Sequence, residues 1–291
     1  MRLYIIRHGQ TEWNSTYRLQ GRTDTQLNEN GRRLAVETGW GLAGVPFDLA
    51  YSSPLARALE TARLVLDAQN DERVRKGIVV QDGTGALNGA GLRNGTAAQA
   101  GAGVSNGAVM RNGTAAQAGV LNGAGMRNGT VVQKGARPAA VPIVEDERLL
   151  EISFGVMEGK KVRDDNGILV VENFIRFFND PERYLPPEEG ESFQSLLKRT
   201  GAFLEELKQK ERARKGEDGQ GKGGPGKSGS SNILISTHGA ASRALLANIS
   251  RCPLRDFWCG GVPKNCAVTI VDLENGDWKI KEQDVLFVRA I

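Results

Sequence analysis

Residues 2–9 read Arg-Leu-Tyr-Ile-Ile-Arg-His-Gly, and residues 232–239 read Asn-Ile-Leu-Ile-Ser-Thr-His-Gly. Each stretch is a short apolar run that ends in a polar residue, a histidine and a glycine. Such runs are typical of strands buried on both faces of a parallel sheet. Because ligands bind at the carboxyl ends of such strands, we predict that His8 and His238, the two histidines of the chain, share one pocket.

Strand and helix patterns alternate along the rest of the chain. Strands are predicted at residues 3–6, 47–51, 141–145, 233–236, 268–273 and 278–282. Helices are predicted at residues 31–43, 55–68, 193–207 and 240–250. The second helix is expected to take Ser53 as its cap and Pro54 as its first residue. The alternation predicts an α/β fold with a central, mostly parallel sheet, and Glu-Asn-Gly-Asp at 274–277 predicts a final hairpin.

Two segments differ in composition from the remainder. Residues 83–137 hold 14 glycines, five Lys or Arg and no acid, and repeat Arg-Asn-Gly-Thr at 93, 111 and 127. Because the repeat spacing changes and most apolar positions are alanines, we favour a low-complexity insertion over a small solenoid or a partner-binding arm. Residues 208–231 hold seven Lys or Arg and seven glycines, which predicts the end of a helix running into a flexible Gly/Lys-rich loop.

The overall composition hides this division. The chain of 291 residues has a net charge of +4, but the two segments carry +9, so the remainder carries −5. That remainder suits one domain, so we predict a single domain over residues 1–291 that carries both segments. The 40% hydrophobic content excludes a wholly disordered chain.

The sequence shows no pattern typical of membrane insertion, secretion or disulfide bonding. The apolar runs are too short for a transmembrane helix or a signal-peptide core, and the three cysteines form no Cys-x-x-Cys pair. We expect a reduced, cytoplasmic protein whose cysteines pack in the C-terminal part of the core. The basic insertion carries five charges over 55 residues and lacks aromatic residues, so we predict no nucleic-acid partner. The lack of a long apolar run predicts no membrane association.

The residues near the two histidines favour phosphate as the ligand. Arg7 adjoins His8, and Arg57 lies near the start of a predicted helix, where a cation opposes the helix dipole unless an anion lies between them. Asn14 can donate an amide hydrogen bond to the same anion. The alternative is a pair of packing histidines and a solvated arginine. No residue cluster has metal-ligand spacing, so no metal is predicted.

Several motifs then follow in a fixed order. Arg-His-Gly-Gln-Thr-Glu-Trp-Asn at 7–14 resembles the signature of the histidine phosphatase (phosphoglycerate mutase-like) superfamily. Similar matches occur at 21–27 with Gly31, 52–62, 150–155 with 158–159, 190–192 with Arg199, and 237–239. This resemblance implies a three-layer, phosphoglycerate mutase-like sandwich with a long glycine-rich insertion.

The resemblance also implies roles for individual residues. His8 would attack phosphorus to form a phosphohistidine, and Glu151 would protonate the leaving oxygen and then activate water. The expected phosphate-binding residues are Arg7, Asn14, Gln20, Gly21, Arg57, His238 and Gly239. The apolar neighbours Ile152 and Phe154 are expected to keep Glu151 protonated. Glu158 is the competing carboxyl group, and we favour a surface or turn-stabilising role for it.

For function, the resemblance to the phosphatase branch implies a metal-independent phosphomonoester hydrolase that needs no cofactor and acts on a small phosphorylated metabolite. A cofactor-dependent phosphoglycerate mutase is disfavoured, because residues 151–155 read Glu-Ile-Ser-Phe-Gly where the mutases have Glu-Arg-His-Tyr-Gly. An interaction protein that uses the basic insertion is a third hypothesis. The loop around 155–190 is expected to contact the leaving group. Its aromatic residues and Trp13 are expected to pack in the core or a lid; they are Phe174, Phe177, Phe178 and Tyr184.

Overall fold

The computed structural model describes residues 1–75, 140–164, 166–216 and 231–287. Their strands are β1 (Arg2–Arg7), β2 (Leu49–Ser52), β3 (Ile143–Glu145), β4 (Asn232–Thr237), β5 (Val268–Glu274) and β6 (Asp277–Val285). Their helices are α1 (Glu12–Ser15), α2 (Glu29–Gly41), α3 (Ala56–Arg75), α4 (Glu172–Asn179), α5 (Phe193–Lys215) and α6 (Gly239–Ser250). The insertion predicted at 83–137 lies outside the described residues.

The strands form a sheet in the order β3-β2-β4-β1-β5-β6. Strands β1 to β4 pair in parallel, whereas β5 is antiparallel to β1 and β6 is antiparallel to β5. The prediction of a mostly parallel sheet is therefore confirmed. In the predicted hairpin between β5 and β6, Asn275 has φ 52° and Gly276 has φ 82°. Positive φ at both central residues is the requirement of a type I′ turn.

Strand β1 is buried on both faces of this sheet. Leu3 and Ile5 pack against α5 and α6, in a cluster with Phe203. On the opposite face, Tyr4 and Ile6 pack against α2 and α3. The predicted three-layer arrangement follows from this alternation, because successive side chains of a strand point to opposite faces. Burial of each large aliphatic side chain stabilises the fold by about 1.5–3 kcal/mol.

Helix α5 is longer than predicted. It continues without a break to Lys215 and ends at Gly216, which has φ 74°. This agrees with the prediction that the segment at 208–231 begins with the end of a helix. The flexible loop predicted after it falls on 217–230, which lie outside the described residues. The sequence of this extension favours a helix, because Glu211 pairs with Arg214 one turn later and a glycine follows as the left-handed cap.

Helix α3 begins later than predicted. Its first residue is Ala56, so Ser53 and Pro54 precede the helix instead of capping it. The carboxylate of Asp24 accepts a hydrogen bond of 2.8 Å from the Ala56 N–H. An acid from a loop distant in sequence thus supplies the anion that a helix N-terminus favours.

A third apolar cluster packs against the start of α5 and along α6. Its centre contains Phe174, Phe177 and Tyr184, which are 0%, 2% and 7% exposed. Their predicted packing role is confirmed, while Trp13 and Phe178 are half-buried. The expectation for the cysteines was wrong in part, since only Cys266 is buried and Cys259 is exposed. No helix within the described residues has an apolar stretch long enough to cross a membrane.

The loop after β1 packs closely against the start of α2, and two glycine variants test this contact. A Cβ on Gly31 would overlap the carbonyl oxygen of Gln10 and lie 2.6 Å from its backbone nitrogen, whereas a Cβ on Gly44 would meet no atom within 4 Å. We expect Gly31→Ala to lower the free energy of unfolding by about 2–3 kcal/mol, because backbone must move. Gly44→Ala should change it by less than about 0.5 kcal/mol. Urea unfolding measures both, and equal effects would contradict this packing.

Candidate active site

The parallel pairing of β1 with β4 brings the two histidines together. Arg7 lies opposite Thr237 in the register, and the backbone N–H of His8 donates to the Thr237 carbonyl over 2.8 Å. The ring centroids of His8 and His238 are 5.1 Å apart. Both side chains are buried, with exposures of 3% and 0%. The structure therefore brings the two histidines together, as their positions at the strand ends predict, while a shared ligand pocket stays a prediction.

The backbone fixes the proton of His8. Its Nδ1 lies 2.7 Å from the carbonyl oxygen of Gly9. A carbonyl only accepts hydrogen bonds, so Nδ1 carries the proton and the Nε2 lone pair is available. Burial, followed by the charges of Arg57 and Arg7, holds the pKa of His8 well below its usual 6.5. At neutral pH, His8 is therefore a neutral imidazole suited to nucleophilic attack.

Arg57 is held by the loop that follows Gln20. Its two terminal nitrogens donate to the carbonyl oxygens of Gly21 and Thr23, over 2.7 and 2.8 Å. The side chain is 0% exposed, and burial is the main cause that lowers its pKa to about 10. The guanidinium is still charged at neutral pH, so the site holds a positive charge away from water.

Glu158 stabilises the same loop from outside. Its carboxylate accepts hydrogen bonds from the backbone N–H groups of Arg22, Thr23 and Phe154, over 2.9, 2.7 and 3.0 Å. Gly21, with φ 52°, packs directly against this carboxylate, so no side chain fits there. The predicted turn-stabilising role of Glu158 is confirmed. This loop in turn determines where Arg57 lies.

Three nitrogen atoms of this region are buried and have no hydrogen-bond partner: Arg7 Nε, Arg57 Nε and His238 Nδ1. The other ring nitrogen of His238 lies 2.7 Å from the hydroxyl oxygen of Ser53, and Arg7 also donates to the Pro263 carbonyl. Leaving a buried polar group unpaired costs about 1–3 kcal/mol, and more for a charged group. An anion with several oxygens would satisfy these atoms together.

Glu151 lies at the N-terminus of α6. Its carboxylate accepts hydrogen bonds from the N–H groups of Ala240 and Ala241, over 3.2 and 3.0 Å. The expectation of apolar surroundings was wrong, because Ile152 and Phe154 direct their side chains into the apolar cluster instead. The Glu151 carboxyl group is thus held in place by backbone N–H groups at the start of α6.

Gly239 leaves space beside Glu151. A Cβ at this position would lie 3.5 Å from Glu151 Oε2 and 3.8 Å from Arg7 Nε. Val262 is nearer still, at 3.3 Å, so Gly239 lies between the acid, one of the unpaired nitrogens and an apolar side chain.

The remaining predicted binding residues lie in the adjoining loops. The side-chain oxygen of Asn14 accepts from the Thr11 N–H over 3.1 Å, so its NH2 group is the end left to donate to a ligand. The side-chain oxygen of Gln20 accepts from Thr25 over 2.6 Å. Gly21 presents its carbonyl to Arg57. Phosphate binding by these residues, and by Arg7, Arg57, His238 and Gly239, stays a prediction.

Sequence reasoning missed several supporting residues. The Asn265 side chain donates to the His8 carbonyl over 2.9 Å, and the Thr61 hydroxyl accepts from the Gly9 N–H over 2.9 Å. Ser53 contacts His238, as described above. Ser53 and Thr61 lie within the motif at 52–62, but nothing local in the sequence marks Asn265. Across residues 1–75, 140–164, 166–216 and 231–287, no group of three or more His, Cys, Asp or Glu side chains is placed to hold a metal.

Comparison with known proteins identifies the family of the chain. Residues 3–77 and 130–285 match the model of the histidine phosphatase superfamily, branch 1. Part of the chain is 43% identical over 68 residues to the 2,3-bisphosphoglycerate-dependent phosphoglycerate mutase of Lactococcus lactis subsp. cremoris. That match covers 23% of this chain and 29% of the mutase, so the similarity spans less than a third of the relative.

Solved structures share the fold over nearly the whole chain. The YhfR protein of Bacillus stearothermophilus superposes with a TM-score of 0.60 and 24% identity, covering 97% of this chain and 96% of that protein. A mycobacterial glucosyl-3-phosphoglycerate phosphatase, solved with VO3, gives a TM-score of 0.59 and 20% identity, covering 97% and 98%. These likenesses establish the fold.

The buried histidines predict how stability depends on pH. Burial is the main cause that lowers the pKa of both His8 and His238 below 6.5, so the unfolded chain binds protons there that the folded chain does not. Stability should therefore fall as the pH drops below 6.5, by up to about 1.4 kcal/mol per pH unit for each histidine. Urea unfolding at pH 7.5, 6.5 and 5.5 should show a shallower loss for His238→Asn. Parallel pH profiles for the wild type and the variant would contradict this assignment.

Proposed function

The chain belongs to the histidine phosphatase superfamily, and we propose that it is a metal-independent phosphomonoester hydrolase with His8 as its nucleophile. The observation that carries this proposal is the set of three buried, unpaired nitrogens on Arg7, Arg57 and His238. They lie beside a neutral histidine whose Nε2 carries a lone pair. A tetrahedral phosphoryl group offers enough oxygens to pair with all of them.

In the first step, Nε2 of His8 attacks phosphorus in line with the ester oxygen. The N–P bond forms as the P–O bond breaks, and Glu151 transfers its proton to the departing alcohol. The charges of Arg7 and Arg57 stabilise the equatorial oxygens during transfer.

In the second step, water releases the phosphoryl group. Glu151, now ionised, accepts a proton from the water while the oxygen attacks phosphorus. The N–P bond breaks, inorganic phosphate leaves, and His8 regains its lone pair. The hydrogen bond from Nδ1 to the Gly9 carbonyl keeps the imidazole in the required orientation in both steps.

The second candidate is a phosphoglycerate mutase, which the similarity to the Lactococcus lactis enzyme favours. We place hydrolysis first because Glu-Ile-Ser-Phe-Gly at 151–155 lacks the Arg and Tyr that the mutases use to hold phosphoglycerate. A small phosphorylated metabolite is the proposed substrate.

The proposal predicts phosphate release from 4-nitrophenyl phosphate at an equal rate with and without EDTA. We expect His8→Ala to lower kcat/KM by on the order of 10³-fold or more, because the covalent route is lost. Gly44→Ala is the folded control, since its added methyl group meets no atom within 4 Å. Loss of activity in EDTA, or full activity in His8→Ala, would overturn the proposal. Conversion of 3-phosphoglycerate to the 2-isomer without phosphate release would establish the mutase instead.

A further inference from the structure

The segment that carries Glu151 is held by side chains from other elements. Arg199, on α5, donates to the carbonyl oxygens of Arg148 and Glu151, over 2.8 and 3.1 Å. The hydroxyl of Thr237, at the end of β4, donates to the Leu149 carbonyl over 2.8 Å. Residues 147–149 form one 3-10 turn, and residues 150 and 151 belong to no helix or strand. The donors from α5 and β4 therefore hold the backbone on which Glu151 sits, in addition to the N–H groups that bind its carboxylate.

Arg199 is itself oriented by Glu191. The two side chains form a two-point pair, in which Nε and one terminal nitrogen of Arg199 donate to the two carboxylate oxygens, each over 2.8 Å. Burial alone would raise the pKa of Glu191, but the hydrogen bonds and charge of Arg199 lower it below its usual value. The pair is only 15% and 8% exposed. Such a planar, two-point contact fixes the direction of the remaining N–H groups of Arg199.

Glu191 also reaches the other half of the site. Its Oε2 accepts from the Arg22 guanidinium over 3.3 Å. Arg22 lies between Gly21 and Thr23, whose carbonyl oxygens hold Arg57. One carboxylate therefore links the segment of the proton donor to the loop that positions the phosphate-binding arginine.

We propose that Glu191 and Arg199 are positioning residues that set the location of the Glu151 proton donor relative to the phosphate pocket. This inference rests on the proposed hydrolase function for its kinetic consequence. Neither residue contacts the reacting atoms in this arrangement. Substituting either residue should therefore slow the step in which the leaving oxygen is protonated, and should change phosphate binding much less.

The test compares two esters that differ in their need for protonation. 4-Nitrophenol departs as a stable anion and needs no proton. The alkoxide of an alkyl phosphate is a poor leaving group, so its oxygen must be protonated as the P–O bond breaks. Arg199→Lys keeps the positive charge, but a single ammonium group cannot pair with both oxygens of Glu191 and also reach the carbonyl oxygens of residues 148 and 151. We expect it to lower kcat/KM for glycerol 3-phosphate by about 30-fold or more, since general acid catalysis contributes about 10²–10⁴-fold. For 4-nitrophenyl phosphate the loss should be less than about threefold, with KM nearly unchanged.

Glu191→Gln provides a second variant with nearly the same shape. It leaves Arg199 without a charged partner, so we expect the same selective loss on the alkyl ester. Arg214→Lys is the matched control, because Arg214 pairs with Glu211 on the same helix, far along it from Arg199. This control should process both esters like the wild type.

Hydrogen–deuterium exchange of the full chain gives a readout that does not require turnover. Exchange over residues 147–153 should rise in Arg199→Lys and stay at the wild-type level in Arg214→Lys, with melting curves confirming that both are folded. An equal loss on both esters, no loss on either, or unchanged exchange over 147–153 would overturn the positioning role. If the wild type hydrolyses neither ester, the hydrolase proposal fails, and the exchange experiment still decides whether Arg199 holds the segment.

Discussion

The active site depends on the register between two parallel strands. Strand β1 pairs with β4 so that Arg7 faces Thr237, and the chain then leaves both strands at adjacent histidines. A shift of one residue would turn every side chain of β1 to the opposite face, because the side-chain period of a strand is two. Leu3 and Ile5 would exchange layers with Tyr4 and Ile6. The apolar packing that holds the three layers therefore also holds His8 next to His238.

The same arrangement places polar groups where they oppose folding. Arg57 and both histidines are buried, and burial is the first cause of the lowered pKa of each. Three nitrogens of the region have no partner. The carbonyls of Gly21 and Thr23 satisfy only part of the Arg57 guanidinium. Buried polar groups of this kind, which an anion would satisfy, are typical of a binding site, where stability is given up for function.

Features that depend on neighbouring residues could be predicted from the sequence, whereas contacts between residues far apart along the chain could not. The strand ends, the histidine pair and the hairpin at Asn275 were predictable because apolar runs and turn residues act locally. The surroundings of Glu151 were not, since its sequence neighbours are apolar while its contacts, Ala240 and Ala241, are 89 and 90 residues away. Asn265 holds His8 across 257 residues, and only the folded chain shows that contact.

In the proposed reaction, Nε2 of His8 receives the phosphoryl group. The direct measurement is rapid quenching of the protein with 4-nitrophenyl phosphate, followed by mass spectrometry of its peptides. We expect an acid-labile, alkali-stable phosphoryl group on the peptide that contains His8, and none on that peptide in His8→Ala. A phosphoryl group on any other residue, or turnover without a phosphorylated protein at any quench time, would contradict it.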